Sequence, residues 1–99
     1  MFFRLGSFNV KPGQAQSLRE VYYEQAASKV RASAGNRGSA LLEPLDETEP
    51  FVVMTVWESR AHAEAYEASG TAAEVIALVK PFFAGAPKLT AYESSRDLT

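Results

Sequence analysis

Between Phe51 and Trp57 the chain has a strand with no polar face. One parity carries Phe51, Val53, Thr55 and Trp57. The other carries Val52, Met54 and Val56. A strand with one wet face alternates apolar with polar residues, so this pattern demands cover on both sides of its sheet. A chain of 99 residues has few helices to provide it. The economical arrangement puts helices on one face and a second copy of the chain on the other. The sequence therefore predicts a homodimer, with a pocket between sheet and helices near Trp57.

The flanking segments build a fold around this strand. Phe2 to Val10 reads as a first strand, ended by Lys11-Pro12-Gly13. A helix follows over Gln14 to Ser33, with Ala15, Leu18, Val21, Tyr22, Ala26 and Val30 approximating one apolar face. Gly35-Asn36-Arg37-Gly38 is a break. Ser39 to Leu45 reads as a second strand, joined by the acidic turn Asp46–Pro50 to the central strand in an antiparallel hairpin. Ser59 is placed to cap a short helix, Arg60 to Glu67. Ser69-Gly70 interrupts it. Thr71, with Glu74 three residues on, reads as the capping box of a second piece that stops near Pro81. On this helix Ala63, Tyr66 and Ala73 are expected to face the sheet, and Arg60, Glu64 and Glu67 water. Lys88 to Ser94 is a last strand. The order gives an α+β, ferredoxin-like βαββαβ subunit with a broken second helix. Its domain spans residues 1–95, and residues 96–99 form a tail.

Composition narrows the chemistry. The net charge is −2 and the basic residues are scattered, which argues against nucleic acid as a partner. The absence of cysteine excludes thiol nucleophiles and cysteine metal sites. No run approaches membrane-spanning length, and the N-terminus lacks a signal-type apolar segment, so a cytoplasmic protein is expected. The one histidine, His62, lies in the first turn of a short helix without a second ligand nearby, so no metal site is expected. Trp57 ends the central strand just before a helix cap, where ligands sit in sheet-and-helix domains. Tyr66 follows nine residues later, flanked by alanines that leave room for a flat ring. Asn9, Arg4, Tyr22 and Tyr92 are the other polar groups that strand or helix geometry can aim inward. For Asn9, at a strand end, a turn-forming role competes, and Arg4 reads first as a solvated strand charge.

The ordered set Val53-Met54-Thr55-Val56-Trp57-Glu58-Ser59, an Ala-rich helix, Ser69-Gly70, Lys80-Pro81-Phe82-Phe83 and Leu89-Thr90-Ala91-Tyr92-Glu93 resembles the antibiotic biosynthesis monooxygenase family. The resemblance covers nearly the whole chain. It implies subunits that dimerise sheet to sheet into an α+β barrel. It also implies one of several activities: cofactor-independent oxygenation of aromatic or quinol substrates, haem degradation, or signal-molecule processing. The haem-degrading branch has an aromatic where Tyr66 stands and a histidine ligand ten residues later, where this chain has Ile76. Aligned from Gly13, its early asparagine falls near Gly6, and Asn9 is out of phase with it. In the polyketide-oxidising branch an asparagine is expected where this chain has Val53. Other branches place a histidine near Tyr66.

The expectation is thus a monooxygenase that uses no cofactor and oxidises a small aromatic molecule with O₂. Trp57 and Tyr66 are the candidate catalytic residues. Asn9, Tyr22 and Ile76 are candidate substrate-binding residues around a cavity between the sheet and the broken helix. The alternative is a non-catalytic or differently catalytic small-molecule binder on the same barrel.

Overall fold

The computed structural model describes residues 1–99. Four strands form one antiparallel sheet: β1 (Phe2–Phe8), β2 (Asn36–Leu42), β3 (Phe51–Trp57) and β4 (Lys88–Glu93), in the order β2-β3-β1-β4. The two central strands pair from Phe2 opposite Trp57 to Phe8 opposite Phe51. This register puts Phe2, Arg4, Gly6 and Phe8 on the same face as Phe51, Val53, Thr55 and Trp57. Phe3, Leu5 and Ser7 share the other face with Val52, Met54 and Val56.

The first face is covered by helices. α1 (Ala15–Val21) passes through a π-helical turn, Tyr22–Ala26, into α2 (Ala27–Arg31). The reason is legible in the spacing of its buried residues. Leu18, Tyr22, Ala26 and Val30 are each 1% exposed or less and recur every four residues. An α-helix with 3.6 residues per turn drifts away from such a repeat, and a wider π turn restores the phase. These side chains form the core with Phe2, Phe8, Leu41 and Trp57.

α3 (Arg60–Glu67) and α4 (Gly70–Val79) complete the layer, followed by a 3₁₀ turn at Lys80–Phe82. Ser59 caps α3 as expected, its Oγ accepting the His62 backbone N–H at 3.2 Å. The cap of α4 is Ser69 and not Thr71. Its Oγ accepts the Ala72 N–H at 3.3 Å and its hydroxyl donates to the Tyr66 carbonyl at 2.5 Å. One side chain thus closes the last turn of α3 and opens α4. Starting α4 two residues early changes its phase. Ala72, Val75 and Val79 turn inward, while Ala73 is exposed.

β2 starts at Asn36, earlier than the Ser39 that the sequence suggested, because Asn36-Arg37-Gly38 enters the ladder as a bulge. The Asn36 amide donates to the carbonyls of Gly38 and Val56, and its Oδ1 accepts the Gly38 N–H. These bonds satisfy backbone that the bulge leaves unpaired.

The opposite face of the sheet carries no helix. Phe3, Leu5, Val52 and Met54 on it are half-buried, and Leu42 and Tyr92 are exposed. Val56 on the same face departs from the expectation that a second copy covers it, being only 4% exposed within the single chain. No helix is long and apolar enough to cross a membrane.

The turn before β2 is fixed by one close approach. Gly35 has φ of +79°, and a Cβ built there lies 2.3 Å from the His62 ring. The His62 Nδ1 is meanwhile held 2.7 Å from the Ser59 hydroxyl. His62 is therefore a packed residue of the helix start. Gly35→Ala should destabilise the fold by at least about 1 kcal/mol, from the left-handed conformation alone. Adding His62→Ala should recover only the part of the steric cost that the ring causes, because the His62 Cβ, itself 2.7 Å from the added atom, remains. Urea denaturation of the single and double variants measures both terms.

Candidate functional site

Trp57 is the residue around which the site is built. Its indole is 1% exposed, at the end of β3 on the helix-facing side. Its Nε1–H donates to Thr55 Oγ1, two residues back on the same face, at 2.9 Å. That bond satisfies the one polar atom of the ring without an outside partner. Tyr66 of α3 lies against it, with ring centroids 4.9 Å apart and planes tilted by 34°.

Beside this pair a cavity of about 440 Å³ opens between the sheet and α4. Gly6, Phe8, Val53 and Leu89 line it from the sheet, and Val75, Ile76, Val79 and Phe83 from the helical side. Ile76 and Leu89 remain 56% and 68% exposed, so the cavity is open between α4 and the β4 edge. Gly6 helps make the space. A Cβ there would sit 3.3 Å from Leu89 Cδ2, so a larger residue would press into the cavity.

The polar groups of the lining are few. Tyr22 donates its hydroxyl to Ser39 Oγ at 2.7 Å. Its phenol is pushed above the usual range, chiefly by burial and against the effect of that hydrogen bond. The Tyr66 phenol is pushed up to about 12, first by burial and then by nearby Tyr22 and Glu67. At neutral pH it is a neutral donor, not a base. Arg4 and Glu67 line the cavity as a bidentate ion pair. Arg4 also lies 5.5 Å over the Phe2 ring.

The structure thus brings together Trp57, Tyr66, Tyr22 and Ile76. It leaves Asn9 out. Asn9 is exposed beyond the end of β1, where its carbonyl accepts the Ala84 N–H at 2.8 Å. It lies past the strand and outside the helix-facing parity, so its amide does not line the cavity. Tyr92 falls on the opposite face of the sheet. Arg4 corrects the expectation of a solvated strand charge, and Glu67 that of a helix residue facing only water. The signal for Arg4 was present in its parity, which it shares with Phe2, Gly6 and Phe8. Glu67 had no such signal, because its place depends on where α3 ends.

The raised tyrosine values set a pH dependence. In the folded state Tyr66 holds its proton from about 10 up to about 12, where the unfolded chain has lost it. The unfolded state then binds fewer protons, so stability falls as pH rises through that window. Tyr66→Phe should flatten this alkaline decline and leave neutral-pH stability nearly unchanged. Denaturation midpoints measured across the alkaline range check it.

The family model for antibiotic biosynthesis monooxygenase matches residues 1–78. No curated protein sequence matches the chain. Among solved structures, a Bordetella bronchiseptica protein named for the same monooxygenase group has a TM-score of 0.83 at 20% identity. The alignment covers 96% of this chain and 97% of that one. A Nitrosomonas europaea protein of the same designation gives 0.78 at 19% identity, covering 97% and 100%. A variant of MhuD, with two manganese protoporphyrin IX groups bound per active site, gives 0.80 at 27% identity, covering 100% and 99%. The sheet order, the helix layer and the match over most of its length agree: the chain belongs to the antibiotic biosynthesis monooxygenase family.

Proposed function

We propose that the chain binds a small, flat, electron-rich aromatic molecule, of phenol or quinol type, and oxidises it with O₂ without metal or organic cofactor. The observation that carries this reading is the apolar cavity walled by the Trp57–Tyr66 pair, with a tyrosine hydroxyl that stays protonated. An anthrone, once deprotonated, transfers an electron to O₂ directly. The resulting radicals combine into a peroxide, and loss of water leaves a carbonyl. A ring CH₂ becomes C=O, one oxygen atom enters the product, and the other leaves as water. The protein's part is to hold the ring, exclude water and stabilise the oxyanion. Trp57 supplies the stacking surface and Tyr66 a hydrogen bond to the substrate oxygen. Ile76 and Tyr22 shape the cavity.

The likeness to the porphyrin-binding MhuD variant raises haem as a ligand. The donor set does not fit it through histidine or thiolate. The cavity lining contains neither, Ile76 stands at the matched histidine position, and His62 packs against Gly35 at the far end of α3. Haemin is expected to give no saturable shift of the Soret band that His62→Ala removes.

The bare sheet face is read as the seat of a second copy, giving a homodimeric α+β barrel. The support is the row of half-buried Phe3, Leu5, Val52 and Met54 with exposed Leu42 beside it. Met54→Lys would set an unpaired charge in that contact and shift the chain to monomer. Sedimentation equilibrium at micromolar concentration checks this, and a stable wild-type monomer contradicts it.

Oxygen uptake with dithranol and with naphthohydroquinones tests the activity. Wild type should consume one O₂ per quinone formed from dithranol, faster than the uncatalysed background. Trp57→Ala should weaken substrate binding and cost about 3–5 kcal/mol of stability through the cavity it leaves. Saturable binding of these compounds with no added uptake would instead make the chain a binder on the same fold.

A further inference from the structure

Oxidation of a phenol by O₂ needs a group to take the proton, and the aromatic wall lacks one. Tyr66 and Tyr22 both hold their protons more firmly than free phenols. The remaining titratable groups in the lining are Arg4 and Glu67. Arg4 stands on the helix-facing row of β1, between Phe2 and Gly6. Glu67 is the last residue of α3. Their ion pair therefore spans from sheet to helix beside the aromatic wall.

We propose that Arg4 and Glu67 are the catalytic pair that deprotonates a phenolic substrate, Glu67 accepting the proton and Arg4 holding the phenolate oxygen. The proposal rests on the reading of this cavity as an aromatic oxidation site.

The pair has the bonding capacity to do this. Arg4 Nε donates to Glu67 Oε1, and Nη2 to Oε2 at 2.6 Å. No hydrogen bond engages Arg4 Nη1, and each carboxylate oxygen has a further lone pair. A substrate hydroxyl can donate to Glu67 while Arg4 donates to the same oxygen. The side chains are 29% and 39% exposed, so a ligand reaches them without unfolding α3.

Charge conservation is the physical argument. A phenolate formed alone in an apolar cavity is costly, because an unpaired charge loses its hydration. Here the substrate O–H bond breaks and its electron pair stays on the substrate oxygen. The proton forms a new O–H bond on Glu67. Glu67 becomes neutral and the phenolate replaces it beside Arg4. One ion pair is exchanged for another, and the net charge in the cavity does not change. No electron moves in this step. The electrons leave later, to O₂.

Two probes separate this pair from the cavity reading itself. The first is para-nitrophenol, whose yellow band reports its ionisation, added below its own pKa. Wild type should bind it saturably and raise the phenolate fraction. Arg4→Gln should still bind it but lower that fraction at least tenfold, and Arg4→Lys should restore part of it. The second probe is dithranol with O₂. Glu67→Gln should lower kcat about a hundredfold, with KM changed only a few-fold, and Glu67→Asp should recover part of the loss. Thermal melts of all four variants should stay close to wild type, because the pair is exposed and contributes little to folding. Full turnover in Glu67→Gln, or wild-type ionisation of nitrophenol in Arg4→Gln, overturns the pair while leaving the cavity reading intact. A wild type that neither binds nitrophenol nor oxidises dithranol overturns both.

Discussion

The contact between Trp57 and Tyr66 ties the layers of this molecule together at the site. Trp57 closes the end of the central strand β3 and satisfies its own N–H through Thr55. Because the indole needs no further polar partner, its face is free to receive Tyr66 at 4.9 Å. That contact anchors α3 over the sheet. α3 in turn ends where Ser69 caps its last turn and starts α4. The break falls beside the aromatic pair, and α4 leaves at an offset that keeps Ile76 open to solvent and the cavity unsealed.

The cavity also depends on what is missing from the sheet. Gly6 lies on the helix-facing row of β1, and Leu89 from β4 leans within reach of it. With Gly6 on the sheet and Ile76 on α4, both walls there are apolar, and the polarity of the lining is gathered at Thr55, Arg4, Glu67 and the two tyrosines.

Much of the fold was legible in parity and caps. The two-faced strand β3, the hairpin to β2, the Ser59 cap and the α+β order follow from period-two and period-3.6 patterns that local sequence carries. Three features were not legible, for separate reasons. The choice of Ser69 over Thr71 as cap turns on one hydroxyl serving two helix ends, which the capping-box pattern does not describe. The early start of β2 turns on the Asn36 amide bridging a bulge, where Gly38 otherwise reads as a turn. The four-residue repeat from Leu18 to Val30 was visible as an approximate face, but the π turn that preserves it is a tertiary solution. In the site, Trp57, Tyr66, Tyr22 and Ile76 fall together because strand parity and helix spacing both constrain them. Asn9 falls outside because β1 ends at Phe8, and past a strand end parity has no force.

The placement of Glu67 shows how function in so small a domain can hang on a helix terminus. Residues at the middle of a helix face are fixed by its periodicity. The last residue is fixed only by where the helix stops. Here Ser69 stops it, and so places a carboxylate opposite Arg4 and within the field that raises the Tyr66 phenol. A carboxylate close to Tyr66 helps keep that hydroxyl protonated, because a second negative charge there is disfavoured. The two groups then have different roles available to them on the same substrate oxygen. In the proposed reaction Glu67 is the acceptor and Tyr66 a donor, so a phenol held between them would meet a base for its proton and a hydrogen bond for the charge it leaves behind. The helix break beside the cavity is thus also what places these two groups together.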